Sequence, residues 1–169
     1  MRQIQVVKLG DFYIPDLQSA LSCLCNSEYR TFTLNRQYIP VTDPDYRIAN
    51  LIEEYSFEQL KKVLNEYRDS QEISSEVILI GIINRSLERN YFSFIDLSSK
   101  CAVITIKDLE KLFESTTIEE FLISEIAEHA VAALENHYWH EEPRRCLFDF
   151  CGDKRDIIPS MSYRALCES

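Results

Sequence analysis

The chain has 169 residues, 46% of them hydrophobic, with 28 acidic against 18 basic side chains and a formal net charge of -10. Length and composition predict one domain, residues 1–169, able to bury a sizeable core, and exclude disorder as its ground state. An acidic surface repels phosphate backbones and anionic lipid, so nucleic acid and membrane are excluded as expected partners, whereas a basic protein or peptide partner or a cationic substrate fits.

In chain order, Ile4 to Leu9 reads as a first strand closed by Gly10. Pro15 and Asp16 open a short helix with Leu17, Ala20, Leu21 and Leu24 on one face. Tyr29 to Leu34 is rich in aromatic and β-branched residues and reads as a second strand. A loop around Asp43-Pro44-Asp45 follows. Ser56 caps a helix that runs to about Arg68, and Gln59 stands where it completes a capping box. Val77 to Ile83 is a continuous apolar run, the mark of a central strand covered on both faces. Tyr91 to Leu97 and Cys101 to Ile106 read as two more strands joined by the polar turn Ser98-Ser99-Lys100, and Lys107 to Phe113 as one or two helical turns. A long helix then spans Thr117 or Ile118 to about Tyr138, with Phe121, Leu122, Ile126, Ala130, Ala133 and Leu134 as its apolar stripe. From Glu141 the period is lost. The expected class is α+β, a mixed sheet packed against two or three helices with an irregular Cys-rich tail.

No apolar run reaches the roughly 18 residues of a membrane span. Met1-Arg2-Gln3-Ile4-Gln5 holds no hydrophobic signal core, so the expected location is the cytoplasm. There Cys23, Cys25, Cys101, Cys146, Cys151 and Cys167 are expected as reduced thiols or metal ligands. With glycine only at 10, 81 and 152, a glycine-rich phosphate loop is excluded.

The residues able to carry chemistry gather in the last third. All three histidines, His129, His137 and His140, fall within 12 positions, on or just past a helix that also holds Glu125, Glu128 and Glu135. Residues four apart share a helical face, which groups Glu125, His129 and Ala133. Histidine is the commonest zinc ligand, and a catalytic zinc needs three ligands and an open position. The plainer reading is a set of partly exposed histidines on an amphipathic helix. Cys146, Cys151 and Cys167 follow, and three thiols in a reducing cell suggest a structural zinc site with a histidine as fourth ligand. Set against that, each can act as a small buried hydrophobe, Cys146 beside Leu147 and Phe148 above all. Cys23, Cys25 and Cys101 sit on apolar faces and are expected in the core. Trp139 is expected as a packing anchor.

The order of elements, from Ile4-Gln-Val-Val-Lys-Leu-Gly10 through Ile80-Gly-Ile-Ile-Asn-Arg-Ser-Leu87 and Ala102-Val-Ile-Thr-Ile106 to the long helix, resembles the archaemetzincins, zincin-fold metallopeptidases. In that family the long helix carries HExxHxxGxxHC, whose first two histidines lie one turn apart on zinc while the Glu between them serves as general base. The resemblance implies the zincin-like fold and a zinc cofactor. The chain departs from the motif at its chemistry. With His129 as first ligand, Ala130 stands at the base and Ala133 at the second ligand, and His140 reaches the third position only with one extra residue. Counted back from Cys146 without a gap, His140 is the third ligand, but Ala130 and Leu134 hold the first two places and Glu141 replaces the motif's first Cys. The glycine is missing in either register, and Cys146-Leu147-Phe148 stands at the Met turn. Cys146 and Cys167 resemble members of the family's second, all-Cys zinc site, with Cys151 outside the pattern. The resemblance therefore implies a degenerate, zinc-binding member that acts through protein interaction. Two alternatives stand beside it: a divergent zinc-dependent hydrolase with Glu125 or Glu128 as base or ligand, and a metal-free interaction domain.

Overall fold

The computed structural model describes residues 2–10, 12–13, 30–39, 54–113, 117–135, 139–140, 142, 144–146, 148–149 and 157, with backbone alone for residues 2, 30–39 and 110. The expected helix after Pro15, the loop at Asp43-Pro44-Asp45, and Cys23, Cys25, His137, Cys151 and Cys167 lie outside these residues.

Five strands build one sheet. They are β1 (Arg2–Leu9), β2 (Arg30–Ile39), β4 (Ile78–Ile83), β6 (Ser93–Asp96) and β7 (Cys101–Thr105), in the order β2-β1-β4-β7-β6. Every pairing is parallel except β6 with β7, which the turn at 97–100 joins antiparallel. Two short strands, β3 (Glu54–Tyr55) and β5 (Ser86–Leu87), form a separate parallel pair. β2 runs further than its aromatic and β-branched stretch suggests. Its pairing with β1 shifts between Val7 and Lys8 and then continues, with Lys8 opposite Tyr38 and Leu9 opposite Ile39.

Alternation along each strand sends successive side chains to opposite faces of the sheet. Ile4, Val6, Ile78, Ile80, Ile82, Ala102 and Ile104 face one way, and Val7, Leu9, Leu79, Ile83, Cys101 and Val103 the other. Helix α1 (Phe57–Ser70) covers the second set with Leu60 and Leu64. Helix α2 (Ile118–Glu135) covers the first with Phe121, Leu122, Ile126 and Ala130. All six residues of β4 are buried, as its unbroken apolar run requires between two helical layers.

Local signals set the ends of both helices. At α1 the Ser56 Oγ accepts from the Gln59 amide at 3.2 Å, while the Ser56 amide donates to Gln59 Oε1 at 2.9 Å. At α2 the Thr117 Oγ1 accepts from the Glu120 amide at 3.1 Å, and the Glu120 carboxylate accepts from the Thr117 amide at 2.8 Å. Each reciprocal pair satisfies amides the helix leaves without partners. The segment before α2 makes one 3₁₀ turn, Leu109–Lys111. Among the described residues no helix is long and apolar enough to cross a membrane.

Gly81 lets α1 approach the sheet. A Cβ there would meet Leu9 Cδ1 at 2.7 Å and Leu64 Cδ2 at 3.2 Å. Gly81→Ala is expected to lower the urea midpoint through overpacking of about 1–3 kcal/mol. An unchanged midpoint would show that Leu9 and Leu64 yield at no cost.

Candidate functional site

Where α2 crosses the β6 end of the sheet, the packing leaves a cavity of about 200 Å³. Residues 91–95 form one wall, and Glu125, Glu128 and His129 of α2 the other, closed by Trp139 and Asp149. The helical period explains the second wall. Phe121, Glu125 and His129 form one row of residues four apart, in which Phe121 packs against Phe92 while Glu125 and His129 line the cavity, and Ile126 and Ala130 lie in the next row, in the core.

Glu125 and His129 are buried, with side chains 6% and 2% exposed. Glu125 Oε2 lies 3.7 Å from His129 Nε2, too far for a hydrogen bond. Neither Glu125 Oε2 nor either imidazole nitrogen has a hydrogen-bond partner. Burial penalises the charged form of each group in opposite directions. It pushes the Glu125 carboxyl up to about 7, against a smaller opposing pull from the Ser93 hydroxyl. It drives the imidazole down to about 3, so His129 is neutral at physiological pH. The Glu128 carboxyl is also held well above its ordinary range, by burial and then by the nearby Glu125, although Trp139 donates its indole N–H to it.

Trp139 is the only tryptophan of the chain. Its ring meets His129 edge-on at 5.7 Å and Phe148 at 6.3 Å. It anchors packing, as its sequence context suggests, and it also orients Glu128. Asp149 organises the loop that carries it to the cavity. Its carboxylate accepts from the amides of Arg144 at 2.8 Å, Arg145 at 2.6 Å and Cys146 at 3.3 Å, and from the Cys146 thiol at 3.4 Å. Burial acts to raise its pKa, but those donors outweigh it and keep Asp149 below the usual carboxylate range.

Of the residues singled out from sequence, Glu125, Glu128 and His129 come together here. His140 stands apart from the cavity wall, half-buried, with its amide donating to the Phe148 carbonyl at 2.8 Å. Cys146 is buried in a small cluster with Ala132 and Phe148. Cys101 is in the core, as expected, beneath α1. The contributions of β6, Asp149 and Trp139 to one cavity arise from long-range packing, which no local pattern announces.

No protein-family model and no curated protein sequence matches the chain. Its fold is similar to that of a solved structure, the archaemetzincin from Archaeoglobus fulgidus in complex with malonate. The likeness has a TM-score of 0.57 at 13% identity, over 92% of this chain and 90% of that one. The chain thus has a zincin-like fold of the archaemetzincin kind, a mixed sheet with its long helix where the resemblance places it.

The resemblance implies a zinc centre on the long helix, which the described residues alone do not complete. Glu125 and His129 supply two donors one turn apart, but among the described residues no group of three or more His, Cys, Asp or Glu is placed to hold a metal ion. A catalytic zinc needs three protein ligands.

Proposed function

We propose that this chain is a zincin-like domain that has lost the standard peptidase mechanism and acts by binding a protein or peptide partner, with a structural zinc on Cys146, Cys151, Cys167 and a histidine of the tail. The observation that carries the loss of mechanism is the apolar residue at the base position. With His129 as first ligand that position is Ala130, buried against the sheet. With Glu125 and His129 taken as the pair one turn apart, it is Ile126, fully buried. A general base must accept a proton from the attacking water, and neither alanine nor isoleucine has an atom that can take one. The cavity itself is intact, which supports binding as the surviving role.

Purified protein supplied with zinc and an unfolded protein substrate is expected to show no cleavage that a chelator abolishes. Elemental analysis is expected to find one zinc per chain, lost when Cys146, Cys151 and Cys167 are changed to Ser and kept in His129→Ala. Chelator-sensitive cleavage that disappears in Glu128→Gln or His129→Ala would overturn this reading and make Glu125 or Glu128 the base of a divergent hydrolase. Zinc retained without the three cysteines would remove the tail site.

A further inference from the structure

The cavity between α2 and β6 is rich in oxygen and nitrogen acceptors. Glu125, Glu128 and Asp149 face it, and no Lys or Arg is among its described lining residues. Glu125 Oε2 and the His129 nitrogens are buried and unpartnered, and a neutral imidazole carries one acceptor nitrogen. A buried polar atom without a partner costs free energy that a matching ligand recovers. In the tautomer whose Nε2 is unprotonated, Glu125 Oε2 and His129 Nε2, 3.7 Å apart, can both lie within about 2.9 Å of one nitrogen atom. Around them Phe92, Phe94 and Trp139 supply aromatic surface. The volume, about 200 Å³, exceeds the roughly 30 Å³ share of one water and suits a short aliphatic stem.

We infer that this cavity is a binding site for a primary ammonium group on an aliphatic stem, the nitrogen seated between Glu125 and His129 and the stem against Phe92, Phe94 and Trp139. An ammonium has three donors and no acceptor, which suits these acceptors and supplies the positive charge that the carboxyl groups lack. A quaternary ammonium satisfies the aromatic wall but leaves Glu125 Oε2 and His129 without a donor. An anion meets three carboxyl groups and no Lys or Arg among the described lining residues. The two carboxyl groups that burial holds toward the neutral state, Glu128 also through the nearby Glu125, gain a counter-charge when the ligand enters. The inference rests on the reading of the cavity as a binding site without catalytic metal, and names the chemistry it takes.

Trp139, the only tryptophan, reports occupancy directly. The intact chain, in the presence of chelator, is titrated with n-butylammonium, Nα-acetyl-lysine methylamide, tetramethylammonium and n-butanol while indole emission is recorded. A saturable change is expected with butylammonium, weaker by about tenfold or more in Glu125→Gln, as the loss of a charge-assisted hydrogen bond predicts. Equal response to the lysine derivative assigns a lysine side chain as the natural source, and response to butylammonium alone assigns a free amine. Butanol or tetramethylammonium binding as tightly as butylammonium would overturn the inference, as would unchanged affinity in folded Glu125→Gln and Glu128→Gln variants. Chelator-sensitive peptide cleavage overturns the underlying reading, whereas failure of this titration alone overturns only the ligand class.

Discussion

Phe121→Ala is expected to lower the free energy of unfolding by about 3–5 kcal/mol, a large share of the roughly 5–15 kcal/mol that holds an ordinary domain together. Phe121 is fully buried at the centre of the contact between α2 and the sheet. Its ring lies 5.7 Å from that of Phe113 and 6.2 Å from that of Phe92. Truncation removes apolar burial and leaves a void that a closely packed core fills only in part. The midpoint of thermal unfolding should fall by about 6–20 °C for a chain of this size. Phe92 also lines the cavity, so indole emission from Trp139 should change with the same variant. A shift of a degree or two would mean that the layer between α2 and the sheet re-forms around the gap.

Glu125→Gln is expected to stabilise the protein at pH 8 by roughly 3 kcal/mol and to leave it nearly unchanged at pH 4. The Glu125 carboxyl is raised from 4.5 to about 7 by burial. Between those values the unfolded chain has released this proton and the folded chain has kept it. The group's contribution is therefore fully present below pH 4.5 and is lost as the pH rises through 7. His129 runs the other way. Its imidazole is lowered from 6.5 to about 3, so its contribution is present above pH 6.5 and is lost as the pH falls toward 3. Urea unfolding of the parent, Glu125→Gln and His129→Gln between pH 4 and 9 separates the two. The Gln variant at 125 should remove part of the alkaline decline, and that at 129 part of the acid decline. Parallel pH profiles for all three proteins would show that neither group is held in its disfavoured state.

Much of the architecture can be read from the chain because burial on two faces leaves a plain mark. The run Ile78 to Ile83 has no polar position, and it is the strand with helices above and below. The period of α1 and its Ser56-Gln59 box fix its start to the residue. The face shared by Glu125 and His129 also follows from helical spacing alone. What faces that pair does not. β6 reaches the cavity because it pairs with β7 at the edge of the sheet, and Asp149 because it gathers three amides of its own loop. Residues 93 and 125 meet through tertiary packing, and no local window of sequence holds both partners in its period, while Trp139 reaches Glu128 from beyond the end of the helix. The spacing allows Glu125 as a ligand in place of a histidine, and the cavity shows that it lines the same space as His129.

The central pairing of the sheet sets a timetable for synthesis. β1 hydrogen-bonds to β4, Ile4 opposite Ile78 and Leu9 opposite Ile83. About seventy residues separate the two strands, so at about 5–20 residues per second β1 leaves the ribosome roughly 4–15 s before its inner neighbour exists. Through that interval Ile4, Val6, Val7 and Leu9, all buried in the finished protein, lack the strand that covers that edge. Closing such a distant pair carries a high loop entropy and slows folding. Strand β1 thus waits exposed during synthesis, and polar substitutions at its buried positions should reduce yield in cells by more than they reduce the stability of the refolded chain.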